Sequence, residues 1–141
     1  IFSTQELLSG EFKIPKNFDW FAFDSYGCWS HDCGDGYSIT DYFRKLKSMV
    51  ATLPDAATKK IFLVGDGMAY GNPPVSEDYQ RGVANRAQKF YELAKSDACV
   101  IGLVTFLYQS SESAGVTGLL DMKTYGLPAY TEIGQKITGR K

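Results

Sequence analysis

Several motifs that would assign this chain to a common functional class are absent from its sequence. There is a single His, and no Ser-His-Asp order, P-loop, GxGxxG or HExxH motif occurs. The formal net charge is −1 and the Lys and Arg residues are scattered, which argues against a nucleic-acid-binding face. No apolar run approaches the ~20 residues that a membrane-spanning helix needs. The sequence therefore predicts no cofactor, no nucleic-acid partner and no membrane span.

Cysteine is also scarce, with three in the chain. Cys28 and Cys33 lie in one short polar loop, CWSHDC, whereas Cys99 is isolated between small apolar residues. The Cys-x2-His-x-Cys spacing matches none of the common zinc patterns, and a second half-site is missing. We therefore expect a disulfide between Cys28 and Cys33 in a secreted or periplasmic protein, with free thiols or a metal site as the alternatives.

Three short apolar runs dominate what the sequence does contain. Each run ends in a polar residue, and the first two are followed by amphipathic helices. A buried strand that carries a polar residue at its carboxyl end, just before a loop and a helix, is typical of the active sites of β/α proteins. The runs cover residues 18–24, 60–66 and 100–109, which end in Asp24, Asp66 and Gln109.

The alternation of these runs with helical patterns predicts an α/β fold. We expect strands near 18–24, 60–65 and 99–107, helices near 38–52 and 76–95, and a last helix that opens at Pro128. Such an order indicates parallel strands with right-handed crossovers, within one β/α segment that spans residues 1–141. Three strands alone would leave both sheet edges bare. Either further strands complete a barrel, or this is an unusually small α/β layer.

The carboxyl ends of these strands hold the candidate functional residues. Asp24 and Asp66 occupy equivalent positions, and two carboxylates in one cleft can divide acid and base or nucleophile roles. The alternative is that each Asp caps loop amides. Aromatic residues beside carboxylates suit sugar rings, so the candidate substrate-binding residues are Tyr26, Trp29, Tyr108 and Gln109.

Three segments resemble a known family. IPKNFDWFAFDSYG, KKIFLVGDGMA and VIGLVTFLYQSS are similar to the sixth, seventh and eighth strands of (β/α)8-barrel glycoside-hydrolase-like proteins. The resemblance implies the C-terminal part of a TIM barrel, with Asp66 at the position of the nucleophile. Most such hydrolases have Glu there, and their acid/base residue lies on a fourth strand that this chain lacks.

The resemblance implies hydrolysis of glycosidic bonds in a poly- or oligosaccharide, with Asp66 and Asp24 as the catalytic residues. The alternative is a non-catalytic carbohydrate-binding or structural module on a degenerate barrel. The expected partners are a carbohydrate and the remaining N-terminal part of the barrel, in the same or another chain. Because the sequence starts with Ile, we expect a processed or excerpted chain.

Overall fold

The computed structural model describes residues 13–15, 17–24 and 39–139. Within them the chain forms a three-stranded parallel sheet, a two-stranded antiparallel ribbon and three α-helices. The strands are β1 (Trp20–Asp24), β2 (Lys60–Asp66), β3 (Met68–Tyr70), β4 (Val100–Phe106) and β5 (Val116–Gly118). The helices are α1 (Ile39–Val50), α2 (Glu77–Ser96) and α3 (Gly126–Thr138).

The parallel sheet confirms the predicted α/β class and the predicted strand pairing. Its order is β1-β2-β4, so the three strands lie side by side in the order in which the chain forms them. Ala22 pairs with Phe62, and Leu63 pairs with Leu103. The register shifts once, which leaves Ile101 as an extra residue in β4. Three strands do not close on themselves, so a complete barrel is a proposal.

One face of this sheet holds the hydrophobic core. Alternate residues of a strand point to the same face, and those of β1 and β2 on this face meet the apolar stripe of α1. The βα order predicts that helices 38–52 and 76–95 lie on one side of the sheet, and α1 and α2 do lie on the same side. Each large apolar side chain in this core contributes about 1.5–3 kcal/mol. The buried members are Phe21, Phe23, Ile39, Phe43, Leu46, Val50, Ile61, Leu63 and Phe90.

The opposite face of the sheet is not covered to the same extent. The near-continuous apolar run of the first strand predicts burial on both faces, and this prediction is wrong for Trp20, which is 63% exposed. The reason is that α1, α2 and α3 all pack on the other side. We call this surface the bare face; it consists of Trp20, Ala22, Phe62, Val64, Gly102, Val104 and Phe106.

A short antiparallel ribbon follows the carboxyl ends of β2 and β4. β3 pairs with β5, with Met68 opposite Gly118 and Tyr70 opposite Val116. The sequence predicts a loop over residues 65–74 and another after the third strand, because a three-residue strand is too short to show an alternating pattern. The ribbon places two loop segments at the carboxyl end of the parallel sheet.

The helix boundaries follow local capping signals. The side chain of Ser76 accepts a hydrogen bond from the backbone amide of Tyr79, so α2 starts where the sequence predicted. Gln80 of α2 is buried, and its side-chain oxygen accepts from the backbone amides of Thr124 and Tyr125. These bonds satisfy amides just before α3, which begins at Gly126, two residues ahead of Pro128.

Candidate functional site

The carboxyl ends of β1, β2 and β4 lie at one end of the parallel sheet, which we call the rim. Asp24 pairs in register with Val64, and Asp66 pairs with Phe106. The rim thus brings the ends of all three predicted strands together. Tyr108 and Gln109 follow β4 at the same end. Four residues that the sequence singled out lie outside the described residues: Tyr26, Cys28, Trp29 and Cys33.

Asp66 is buried at the rim and is paired with Arg86 of α2. Its side chain is 2% exposed. Arg86 donates to Oδ2 of Asp66 from Nε, at 2.8 Å, and also from Nη2. The backbone amide of Met68 donates to Oδ1 at 3.3 Å. Both carboxylate oxygens of Asp66 are therefore engaged, and the carboxylate links β2 to the helix layer.

The backbone of Asp66 makes a further link, to α3. The hydroxyl of Tyr130 donates to the carbonyl oxygen of Asp66 at 2.9 Å. Burial is the main cause that raises the pKa of Tyr130 far above its ordinary value, and the charge of Asp66 acts in the same direction. The Tyr130 hydroxyl therefore stays protonated and works as a hydrogen-bond donor.

Tyr79 completes the surroundings of this ion pair. Its hydroxyl donates to the carbonyl oxygen of Met68 at 3.0 Å, and the Arg86 guanidinium lies 6.0 Å from the centre of its ring. Burial, followed by the charge of Asp66, raises the pKa of Tyr79. The hydrogen bond from Tyr79 thus links Met68, the first residue of β3, to α2.

Asp24 has different surroundings. Asp24 is half-buried. Residues two apart in a strand point to the same face, so Asp24 shares its face of β1 with Trp20 and Ala22, which belong to the bare face. The rim therefore brings the ends of β1 and β2 together, but the carboxylate of Asp66 bonds to the helix layer instead. The positions of the three strand ends predict that Asp24, Asp66 and Gln109 open onto one shared cleft, and this stays a prediction.

Two exposed aromatic side chains lie in the segments that follow the strands ending at the rim. Tyr70, on β3, is 88% exposed, and Tyr108, after β4, is 52% exposed. The backbone that carries Tyr108 is held in place, because its carbonyl oxygen accepts from the amide of Leu120 at 2.8 Å. The amide of Gly118 donates to Oγ of Ser110 at 2.9 Å, which fixes the segment after exposed Gln109. The rim thus presents aromatic rings on a fixed backbone.

Sequence reasoning missed three of these residues: Arg86, Tyr70 and the role of Tyr130. Arg86 lies on the same stripe of α2 as Val83 and Phe90, which are fully buried. A charged residue within an apolar stripe predicts a buried partner of opposite charge, and this signal identifies Arg86. Tyr70 lies in a segment whose strand was itself missed.

Over residues 13–15, 17–24 and 39–139, no group of three or more His, Cys, Asp or Glu side chains is placed to hold a metal ion. None of the helices in these ranges has the length and apolar character that crossing a bilayer requires.

Comparisons of the chain with family models, with curated proteins and with solved structures found no match.

Proposed function

We propose that the chain is a carbohydrate-binding module built on a β/α layer of the barrel type, with its binding surface at the rim. The observation that supports this proposal is a contrast at the rim. Tyr70 and Tyr108 are exposed there, whereas the carboxylate of Asp66 is buried and engaged by Arg86.

The chemistry of the exposed residues suits a sugar. The C–H face of a pyranose ring stacks on an aromatic ring, and its hydroxyls bond to amides and carboxylates. Tyr108 supplies a ring, and the neighbouring side chain of Gln109 is exposed and carries both donors and an acceptor. Asp24 is the rim carboxylate that we assign to hydroxyl binding. Tyr26 and Trp29 stay in the proposal as predicted substrate-binding residues.

The second candidate function is hydrolysis of a glycosidic bond, in which Asp66 and Asp24 act as the catalytic pair. Two observations favour it: both residues end adjacent parallel strands, and the three segments resemble the last strands of glycoside-hydrolase-like barrels. Carboxyl groups about 5–5.5 Å apart would suit retention of configuration, and wider spacing would suit inversion. For this chemistry the carboxylate of Asp66 would have to break its hydrogen bonds to Arg86 and contact the substrate instead.

Export remains part of the proposal. A disulfide between Cys28 and Cys33 would fit a secreted or periplasmic protein. Counting thiols in the denatured, non-reduced protein tests it: we expect one free thiol, at Cys99, and three free thiols would contradict the disulfide.

Oligosaccharide binding and turnover separate the two candidate functions. The probes are soluble cello-, xylo-, chito- and malto-oligosaccharides, with binding measured by calorimetry and turnover by product release. The binding-module proposal predicts binding without turnover, and Asp24→Asn weakens that binding. If the wild type cleaves an oligosaccharide and Asp66→Asn reduces that turnover by orders of magnitude, the hydrolase replaces the binding module as the function. If no oligosaccharide binds or is cleaved, both functions fail.

A further inference from the structure

We propose that a cavity at the amino end of the parallel sheet binds a small neutral aromatic molecule. Ile61 lines this cavity, whereas the rim residue Asp66 lies at the other end of β2, roughly 17 Å further along the strand. The inference therefore goes beyond the carbohydrate proposal and does not depend on it. The cavity has a volume of about 260 Å³ and is lined by Lys47, Val50, Ala51, Ala56, Ala57, Lys59, Ile61 and Cys99.

The cavity is apolar because core residues and alanines make up most of its wall. Val50 of α1 and Ile61 of β2 are buried members of the hydrophobic core. Ala51 follows α1, and Ala56 and Ala57 lie in the short turn before β2. The single methyl group of each alanine leaves space above the core residues. A concave and mostly apolar site is the usual form of a small-molecule site.

Ion pairs hold the segments around the cavity in place. Lys59 is 2% exposed and pairs with Asp55 at 2.6 Å and with Asp19 at 3.4 Å, which joins the turn to the residue before β1. Lys47 of α1 pairs with Asp97, which lies in the turn before β4. The walls are therefore formed before a ligand enters, and little ordering of the protein opposes binding.

The polar groups at the cavity already have partners within the protein. The ammonium groups of Lys47 and Lys59 are paired with carboxylates, and the thiol of Cys99 is hydrogen-bonded to Asp97. A charged ligand would have to displace one of these partners or carry an unpaired charge into an apolar site, and both are costly. The arrangement therefore selects a neutral ligand.

The lining residues and the size of the cavity favour an aromatic ring. A lysine ammonium attracts the face of a π system, and a polarizable sulfur packs well against a ring. Neither contact requires Lys47 or Lys59 to leave its carboxylate. A cavity of about 150 Å³ holds benzene, and drug-sized ligands occupy about 300 Å³ or more. The volume of about 260 Å³ thus suits one substituted ring or two fused rings.

Amide chemical shifts of the isotope-labelled 141-residue chain test the inference, with indole as the probe. We expect saturable shifts at the cavity residues Ala57, Ile61 and Cys99 and none at the rim residue Tyr108. Two charged compounds with the same ring system, indole-3-acetate and tryptamine, should bind at least tenfold more weakly. The absence of a saturable shift with indole, or tighter binding of either charged compound, would overturn the proposal.

Substitutions that narrow the cavity give a second test. Ala57→Leu and Ala51→Leu add bulk at two parts of the wall, and the matched control is Ala114→Leu, because Ala57 and Ala114 are both exposed alanines in three-residue 3₁₀ turns. We expect each narrowing variant to weaken indole binding at least tenfold and the control to leave it unchanged. Unchanged affinity in either narrowing variant would contradict the proposal.

A second copy of the chain is the alternative occupant of the cavity. Shifts at the same residues that grow with protein concentration in the absence of indole would show that a second copy fills it, and would overturn the proposal. The comparison of indole with the two charged compounds uses the unsubstituted chain, so it does not depend on how the variants fold.

Discussion

At the scale of single residues, Arg86 has the largest predicted effect. Its guanidinium donates two hydrogen bonds to a carboxylate that is almost fully buried. Removing one partner of a buried ion pair leaves the other charge without compensation, which costs about 3–5 kcal/mol. The bond between Asp66 and Arg86 therefore stabilises the junction of β2 and α2.

We predict that Arg86→Met lowers the free energy of unfolding by about 3 kcal/mol or more, measured by urea denaturation. The matched control is Arg44→Met in α1, since Arg44 is exposed and its ion pair with Asp41 is a surface pair worth at most ~1 kcal/mol. Equal losses in the two variants would show that the Asp66 bond is not the cause.

Cys99 offers a second test at this scale. Burial, followed by its hydrogen bond to Asp97, raises the pKa of the thiol to about 11. The reactive thiolate is then on the order of a hundredfold scarcer at pH 8 than for an ordinary thiol. We predict that iodoacetamide modifies Cys99 far more slowly in the native than in the urea-unfolded protein, measured by mass spectrometry of its peptide. Similar rates in the two states would contradict the partial burial and the raised pKa of this thiol.

At the scale of secondary-structure elements, close packing at Gly65 sets the position of α3. A Cβ at Gly65 would lie 2.4 Å from the hydroxyl oxygen of Tyr130, which bonds to Asp66. Gly134, in α3 itself, has no atom within 4 Å of its would-be Cβ. The same Gly→Ala change should therefore have opposite effects at the two positions.

We predict that Gly65→Ala destabilises the fold by about 1–3 kcal/mol through overpacking. Gly134→Ala should stabilise it by up to ~1 kcal/mol because Ala favours helix. Thermal unfolding followed by circular dichroism measures both. If both variants are destabilised alike, the contact between Gly65 and Tyr130 is not the cause of the loss in Gly65→Ala.

The turn before β4 is joined to α1 by an ion pair between Asp97 and Lys47. Burial alone would raise the pKa of Asp97, but hydrogen bonds from Cys99 and Lys47 outweigh it and hold this pKa below its ordinary value. A lowered pKa in the folded state stabilises the protein above the unfolded-state pKa of ~3.9, and this contribution is lost as the pH falls through the folded value.

We therefore predict that Asp97→Asn is less stable than the wild type at pH 7 and that the difference shrinks as the pH falls below about 4. Urea unfolding across this range measures it, with Glu112→Gln at an exposed turn as the control. A difference that stays constant with pH would contradict the role of the Asp97 charge.

The elements that the sequence predicted are those with long periodic patterns. Ile39, Phe43, Leu46 and Val50 recur at helical spacing, and all four are buried on α1. β3 and β5 could not be predicted, because each pairs over three residues and depends on contacts distant in sequence. The same holds for Arg86, whose partner lies 20 positions away.

At the scale of the whole molecule, the fold resembles one side of a layered β/α structure. The apolar runs predicted the three parallel strands, but they could not show which face would be covered, since that depends on where every helix packs. Trp20 illustrates the limit: its sequence context predicts burial, yet it lies on the side away from α1, α2 and α3.

The central functional claim is that the rim binds carbohydrate through exposed aromatic rings. Calorimetric titration of the best-binding oligosaccharide into the wild type, Tyr108→Ala and Tyr91→Ala tests it most directly. Tyr91 lies in the helix layer, where Lys95 stands over its ring, and serves as the control. We predict that Tyr108→Ala weakens binding by about tenfold, equivalent to ~1.4 kcal/mol, while Tyr91→Ala leaves the affinity unchanged. Equal affinities for all three proteins would contradict the claim.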